Sequence, residues 1–212
     1  MPIPPSLGDA EGSFVEPLAV VLHAISRSRL TSDEPVAVVG AGPIGLLLIE
    51  ALRARGARCV IAIEPRPARR ELALQLGARA AIDPLTGNPG RDIAALLDGA
   101  RAAVAFECVG TTAGFETALR STGRGGRVVL IGLLPASASV NLLAVLAHEK
   151  EIIGASAYVD EFDEAIRLLA GRSVVVGPLV TGEISIEETV IGGLEVLGRP
   201  DSAHVKILVR PH

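Results

Sequence analysis

VAVVGAGPIGLLLIEALRARGA, Val36 to Ala57, is the stretch on which the fold turns. Val36 to Val39 is short, apolar and β-branched, as a buried strand is, and Ile44 to Arg55 carries apolar residues at helical spacing. Between them Gly40, Gly42 and Gly45 stand at GxGxxG spacing, after a strand and opening a helix, the context that makes a common glycine pattern specific. Each glycine has a steric task. Gly40 makes the tight turn, Gly42 has no Cβ and lets a pyrophosphate approach the backbone, and Gly45 lets the helix pack closely on the strand. Pro43 and Ile44 complete the turn, and the unpaired N–H groups and positive dipole end of the helix face the phosphates.

A glycine turn alone also fits a plain strand-to-helix corner, so a second element matters. Glu64 closes the next strand, 19 residues after Gly45. A carboxylate there accepts hydrogen bonds from the adenine-ribose hydroxyls and repels the 2′-phosphate of NADP. Two like unit charges at ~4 Å and an effective dielectric of ~20 cost about 4 kcal/mol, before screening by Arg66 and Arg69. NAD is therefore the expected cofactor, ahead of NADP. The glycine spacing also counts against a methyltransferase, the other class that pairs such a turn with a ribose-binding acid.

Outward from this unit, β-branched runs alternate with Ala/Leu-rich helical stretches, the pattern of repeated βαβ units. Strands are expected at Val36 to Val39, Arg58 to Ile63, Arg79 to Ile82, Ala103 to Glu107, Arg127 to Ile131 and Glu151 to Ala155. Helices are expected at Ile44 to Arg55, Pro67 to Leu76, Arg91 to Leu97, Ala113 to Arg120 and Glu161 to Leu169. Gly56 and Gly77 stand where left-handed helix stops fit, and Asp160 where an N-cap fits. The predicted fold is α/β, a doubly wound six-stranded parallel sheet of Rossmann type. A leading segment with a helix at Leu18 to Ser26, and a tail reading strand, helix Ile186 to Leu197, strand Val205 to Val209, fall outside the repeat.

Composition agrees. Of 212 residues 49% are apolar but only 2% aromatic, so Ala, Val, Leu and Ile must pack the interior, as in Val/Ile strands layered between Ala/Leu helices. A net charge of −4, with 20 scattered basic residues, gives no footprint for a nucleic-acid backbone. The opening lacks the regions of a signal peptide, and the apolar run Val36 to Ile49 is shorter than the ~20 residues of a membrane span. A cytoplasmic protein with neither nucleic-acid nor membrane partner is expected. Cys59 and Cys108 are too far apart for a zinc-ribbon or CxxC signature and read as reduced, buried packing residues.

In fixed order along nearly the whole chain stand VEPLAVVLHAI (Val15 to Ile25), VAVVGAGPIGLLLIEALRARGA, Glu64 to Ala78, AFECVGT (Ala105 to Thr111), GGRVVLIGL (Gly125 to Leu133), KEIIGASAY (Lys150 to Tyr158) and PLVT (Pro178 to Thr181). This series resembles the coenzyme half of medium-chain zinc-dependent alcohol and polyol dehydrogenases, above all the sorbitol and butanediol dehydrogenase branch. The resemblance implies that Arg69 reaches the adenine ribose beside Glu64. It also implies that Cys108, Val109 and Gly110, Ile131, Gly132 and Leu133, and Ala155 and Ala157 border the nicotinamide. The physical reading agrees, because these segments end strands beyond the switch point, where open α/β sheets bind ligands. As side chains, Cys108 and Leu133 fit ordinary core equally well.

In that family a zinc ion polarises the substrate oxygen so that hydride passes to or from the nicotinamide. By resemblance its ligands lie mostly in an N-terminal barrel-like domain, so residues 1–30 are expected to be a linker and leading helix from the end of that domain, 31–176 the NAD-binding domain, and 177–212 a segment that returns to the catalytic domain. Glu16 matches the glutamate that polyol dehydrogenases place at or next to the zinc. One carboxylate cannot hold a catalytic ion, so zinc is expected only if a separate catalytic-domain chain supplies the other ligands. His23, His204 and His212 read as structural or solvated.

The segment Ser139 to Ala155 would form a sheet edge, and an unprotected edge invites pairing; a homodimer is expected, with Ile153 at the contact. Two functions stay open: part of a dehydrogenase, or a stand-alone NAD(H)-binding regulatory or interaction module.

Overall fold

The computed structural model describes residues 3–199 and 201–211. A single turn, α1 (Asp9–Gly12), leads into α2 (Val15–Ser28). Strand and helix then alternate: β1 (Val36–Val39), α3 (Pro43–Ala54), β2 (Val60–Ile63), α4 (Pro67–Gln75), β3 (Ala80–Ile82), α5 (Pro89–Leu96), β4 (Ala102–Glu107), α6 (Thr112–Ser121), β5 (Thr122–Leu130), α7 (Leu142–Ala147), β6 (Glu151–Gly154) and α8 (Phe162–Ala170). The tail holds β7 (Val180–Ser185), α9 (Glu195–Gly198) and β8 (Lys206–Arg210).

Every pairing among the first six strands is parallel, in the order β3-β2-β1-β4-β5-β6. This is the doubly wound arrangement, and its order reverses between β1 and β4. Alternation within each strand sends side chains to opposite faces. Val36, Val38, Val60, Ala62, Val104 and Phe106 meet α2, α3 and α8 on one face. Ala37, Val39, Ile61, Ile63 and Val128 meet Ile93 of α5 and Phe115 and Leu119 of α6 on the other. The leading helix belongs to this packing, since Leu18, Val21 and Leu22 of α2 have no exposed surface.

Several expectations shift. Helix α2 starts at Val15 and runs to Ser28, longer than Leu18 to Ser26. Strand β5 starts at Thr122, ahead of Arg127, because its first residue pairs with Ala102 before the register breaks. Helix α7 was not anticipated; its apolar run is short and none of its residues is buried. The N-cap of α8 is Glu161, not Asp160, and no side chain caps the helix. The tail helix is broken: Thr189–Leu194 is a π-helical turn and only Glu195–Gly198 is α-helical. There Gly192 and Gly193 lie close against Ile184 of β7, where a Cβ on Gly193 would come within 3.1 Å.

Gly56 and Gly77 do adopt positive φ, +78° and +108°. Strands β7 and β8 pair parallel as a separate sheet, and Ile186, Val190, Ile191, Leu194 and Val209 leave apolar surface exposed there. Among the described residues no helix is long and apolar enough to cross a membrane. Both cysteines are free; Cys59 is buried and Cys108 only partly so.

Candidate functional site

The carboxyl ends of β1 and β4 meet at the switch point, and the glycine turn sits there. Gly40 has φ +92°, and a Cβ on it would come within 2.7 Å of Val109 Cγ2. A Cβ on Gly45 would fall 1.8 Å from the Gly40 carbonyl oxygen, so α3 can rest on the turn only because that atom is missing. Gly42 differs, for the nearest atom to its Cβ position is Arg69 Nη1 at 3.9 Å. Open space on that side is what a ligand's approach to the backbone requires. Gly42 is also the N-cap of α3 and offers no side-chain acceptor, and Pro43 stands at the first position. Helices α5, α6 and α7 are closed by Asn88, Thr111 and Asn141. The first turn of α3 therefore keeps amides with neither an intrahelical nor a capping partner, at the positive end of the helix dipole.

Glu64 is 5% exposed and faces this turn. Its Oε2 accepts from the Ala41 amide at 2.8 Å and its Oε1 from the Arg66 amide at 3.0 Å. The acid expected one strand away thus lies within one hydrogen bond of the glycine turn. Arg69 stands beside both: its Nη2 donates to the His204 carbonyl at 3.1 Å, and its buried Nε has no partner. Burial, and then the neighbouring Arg66, lower the Arg69 pKa, while Glu64 works the other way. Arg70 is committed elsewhere, to the carbonyls of Glu64 and Pro65 and to Asp83.

The segments expected along the nicotinamide gather at the same edge. Gly110, φ +79°, packs so close to Leu133 that a Cβ would come within 2.9 Å of its amide nitrogen. Ala155 donates to the Leu130 carbonyl at 3.0 Å, and Ala157 is exposed with φ +53°. Leu133 is 96% exposed, so it is not a core side chain; its chain turns outward just after Gly132. Cys108 fits core better, and burial, reinforced by Glu107, pushes its thiol pKa far up and keeps it protonated.

Glu107 was not singled out in the sequence. It has no exposed surface, and its Oε1 accepts from the Val109 and Gly110 amides, both at 2.9 Å. Its backbone carbonyl accepts from the amides of Ile131 and Gly132. Burial raises its pKa, against the pull of the Gly110, Val109 and Thr111 amides. Glu107 is the post that ties the β4 and β5 ends together. An acid inside the apolar strand AVAFE was the available signal. Glu50, 3% exposed on α3, is a second buried acid; it accepts from Arg53 and from the Val175 amide and fastens the tail's approach to the helix.

This chain is similar over nearly its full length to known proteins. A family model described as "Zinc-binding dehydrogenase" matches residues 43–171. The chain belongs to the zinc-binding dehydrogenase family. It is 33% identical over 210 residues to (R,R)-butanediol dehydrogenase of Bacillus subtilis, covering 99% of this chain and 60% of that protein. It is 32% identical over 189 residues to sorbitol dehydrogenase of the same organism, covering 88% of this chain and 53% of the relative. Among solved structures, 2R,3R-butanediol dehydrogenase from Bacillus subtilis superposes with a TM-score of 0.89 at 34% identity, over 99% of this chain and 60% of the other. A zinc-binding dehydrogenase from Sinorhizobium meliloti bound to NADP gives 0.89 at 31% identity, over 99% and 61%. The family member described here thus spans 53% to 61% of the length of these relatives, the part that holds the coenzyme fold.

The family's metal does not fit the residues present. Among the described residues no three His, Cys, Asp or Glu side chains converge. Glu16 is exposed near the half-buried Lys206, whose pKa is lowered by burial against the opposing pull of Glu16. The sequence contains a consecutive His–Glu pair, His148–Glu149. It lies at the end of α7, and Glu149 pairs there with Arg124. His23 is structural, 2.8 Å from Glu161. His204 is half-buried with an unpartnered Nδ1 and is not a solvated tail residue. His212 lies outside the described residues.

Proposed function

We propose that this chain is the NAD(H)-binding portion of a zinc-dependent alcohol or polyol dehydrogenase, the class that moves hydride between a secondary alcohol and NAD. The observation that carries the proposal is the Glu64 carboxylate, 2.8 Å from the Ala41 amide of the glycine turn. That acid and the bare N-terminus of α3 are spaced to take a ribose and a diphosphate together. Gly40, Gly42 and Gly45 shape the turn, with Pro43 and Ile44 inside it. Arg69 flanks the ribose, and residues 108–110, 131–133, 155 and 157 border the nicotinamide. The negative charge of Glu64 favours NAD over NADP.

Hydride transfer with zinc calls for ligands that these residues do not bring together, so the chain is proposed to act with a catalytic domain, in trans if need be, in the cytoplasm and as a homodimer through β6. The same lack of a convergent ligand set supports a second reading, an NAD(H)-binding module without catalysis. Titration with NADH, followed by its own fluorescence and by calorimetry, tests the shared premise. Glu64→Ala is expected to weaken NADH binding and to narrow the gap to NADPH; an unaltered ratio removes the role given to Glu64. Adding a barrel domain from a butanediol or sorbitol dehydrogenase separates the readings. Turnover of a secondary alcohol in the mixture alone supports the dehydrogenase, and none in either supports the module.

A further inference from the structure

A cavity of about 540 Å³ opens on the edge of the sheet opposite Gly40 to Gly45, where β4 and β5 begin and α6 and α7 end. Arg101, Arg120, Arg124, His148 and Lys150 line it, against a single carboxylate, Glu116. The whole chain carries −4, so this concentration of positive charge runs against the molecule's overall sign.

Part of it is structural. The carbonyl end of α6 points here, and Lys150 Nζ donates to the Leu119 and Thr122 carbonyls while Arg101 donates to the Arg120 carbonyl. Those bonds cancel the negative end of the helix, which would otherwise repel an anion. Burial first, and then the nearby Arg101, lower the Lys150 pKa.

The remainder is held more loosely, Arg124 reaching the Ala147 carbonyl only at 3.5 Å. Pairing of β4 with β5 passes from Ala102↔Thr122 to Val104↔Arg127, so residues 123–126, Gly-Arg-Gly-Gly, loop out of the ladder. Gly125, at φ +67°, donates to the His148 carbonyl at 2.8 Å and so holds the loop against the end of α7. The loop carries Arg124 to the cavity wall beside backbone that lacks side chains. Arg124 pairs with Glu149, with 66% and 67% of the side chains exposed, and Arg120 with Glu116, at 64% and 42%. Exposed pairs of this kind contribute little, so both guanidinium groups are free to turn to a stronger acceptor. Arginine suits a phosphate, whose oxygens accept two parallel N–H bonds, and the cavity volume is in the range of small-ligand sites, ~300–1,000 Å³.

We propose that this cavity binds a phosphomonoester of about sugar size, its phosphate held by Arg120 and Arg124 beside the glycine loop and its body against Asn141 and Ala144. The site is separate from the dinucleotide crevice and independent of it.

The test is calorimetric titration of the full chain at fixed ionic strength with glucose 6-phosphate, with inorganic phosphate and glucose as companion arms. Saturable 1:1 binding of glucose 6-phosphate, tighter than inorganic phosphate and absent for glucose, is expected. Arg124→Ala and the double variant with Arg120→Ala are expected to weaken it at least tenfold, with unchanged circular dichroism, while Glu64→Ala and Gly42→Ala leave it as it was. Phosphorus NMR line broadening of the sugar phosphate gives a second readout on the single variant. Absence of binding, equal binding in the arginine variants, or loss on changing Gly42 would overturn the proposal; phosphate bound as tightly as glucose 6-phosphate would remove the claim on the sugar.

Discussion

A methyl group at Gly45 would lie 1.8 Å from the Gly40 carbonyl oxygen, whereas one at Gly42 would meet nothing nearer than Arg69 Nη1 at 3.9 Å. The two glycines share a motif but not a reason. Gly45→Ala forces α3 off the turn, an overpacking expected to lower stability by about 1–3 kcal/mol and to take cofactor affinity with it. Gly42→Ala has room and ordinary extended backbone, φ −76° and ψ −171°; its stability is expected to stay within about 0.5 kcal/mol, while NADH binding drops because the space is filled. Urea midpoints and NADH titrations on both variants check this, and a common loss of stability would contradict it. These roles were legible because the spacing of the glycines encodes them. Glu107 was not, because its role depends on amides at Val109 and Gly110 that bend back towards it only once the chain turns. The role expected of Arg69 rests only on resemblance, as does that of every residue expected along the nicotinamide. At Leu133 the core alternative falls away, since the side chain is 96% exposed: a residue after a buried strand can read as core until the direction of the chain is known.

At the scale of elements, the six strands and the helices between them were legible from the exchange of twofold for helical periodicity. What lacked period was misplaced. Helix α7 buries none of its residues, and the glycine pair in the tail replaces an expected helix by a π turn. The join between α2 and α8 is a long-range contact with no local signal. His23 of α2 meets Glu161 at 2.8 Å, and the other Glu161 oxygen accepts from the Val159 and Asp160 amides. Burial works against the charge, but the Val159 amide, the His23 contact and the local backbone outweigh it and hold the Glu161 pKa below the ordinary carboxylate value. A depressed folded pKa stabilises above the unfolded value, about 4.3 for glutamate, and that contribution fades as the pH falls through the folded pKa. Stability of the native chain should therefore fall below about pH 4.3 more steeply than that of Glu161→Gln, which should be the less stable at neutral pH. Urea midpoints against pH compare them; parallel curves would show that the carboxylate does not carry the join.

For the molecule as a whole, the open question is what covers the free side of β6. The strand pairs with β5 alone in the sheet, and an unpaired edge with apolar side chains offers donors and acceptors to a second chain. Antiparallel pairing of two copies of β6 would extend the sheet and end its exposure. Ile153 was the residue expected at such a contact, but it packs partly buried against the core shared with α2 and α8. Ile152 is 41% exposed and is the side chain free to meet a partner. The two positions therefore separate folding from association. Ile152→Lys should raise the monomer fraction in sedimentation and leave the urea midpoint of the monomer unchanged, whereas Ile153→Asp should lower that midpoint as well, because it places a charge against packed apolar groups. A native chain that sediments as a monomer at concentrations up to about 100 μM, where a complex with a micromolar Kd would be largely formed, would dispose of the edge pairing and leave β6 to a different partner.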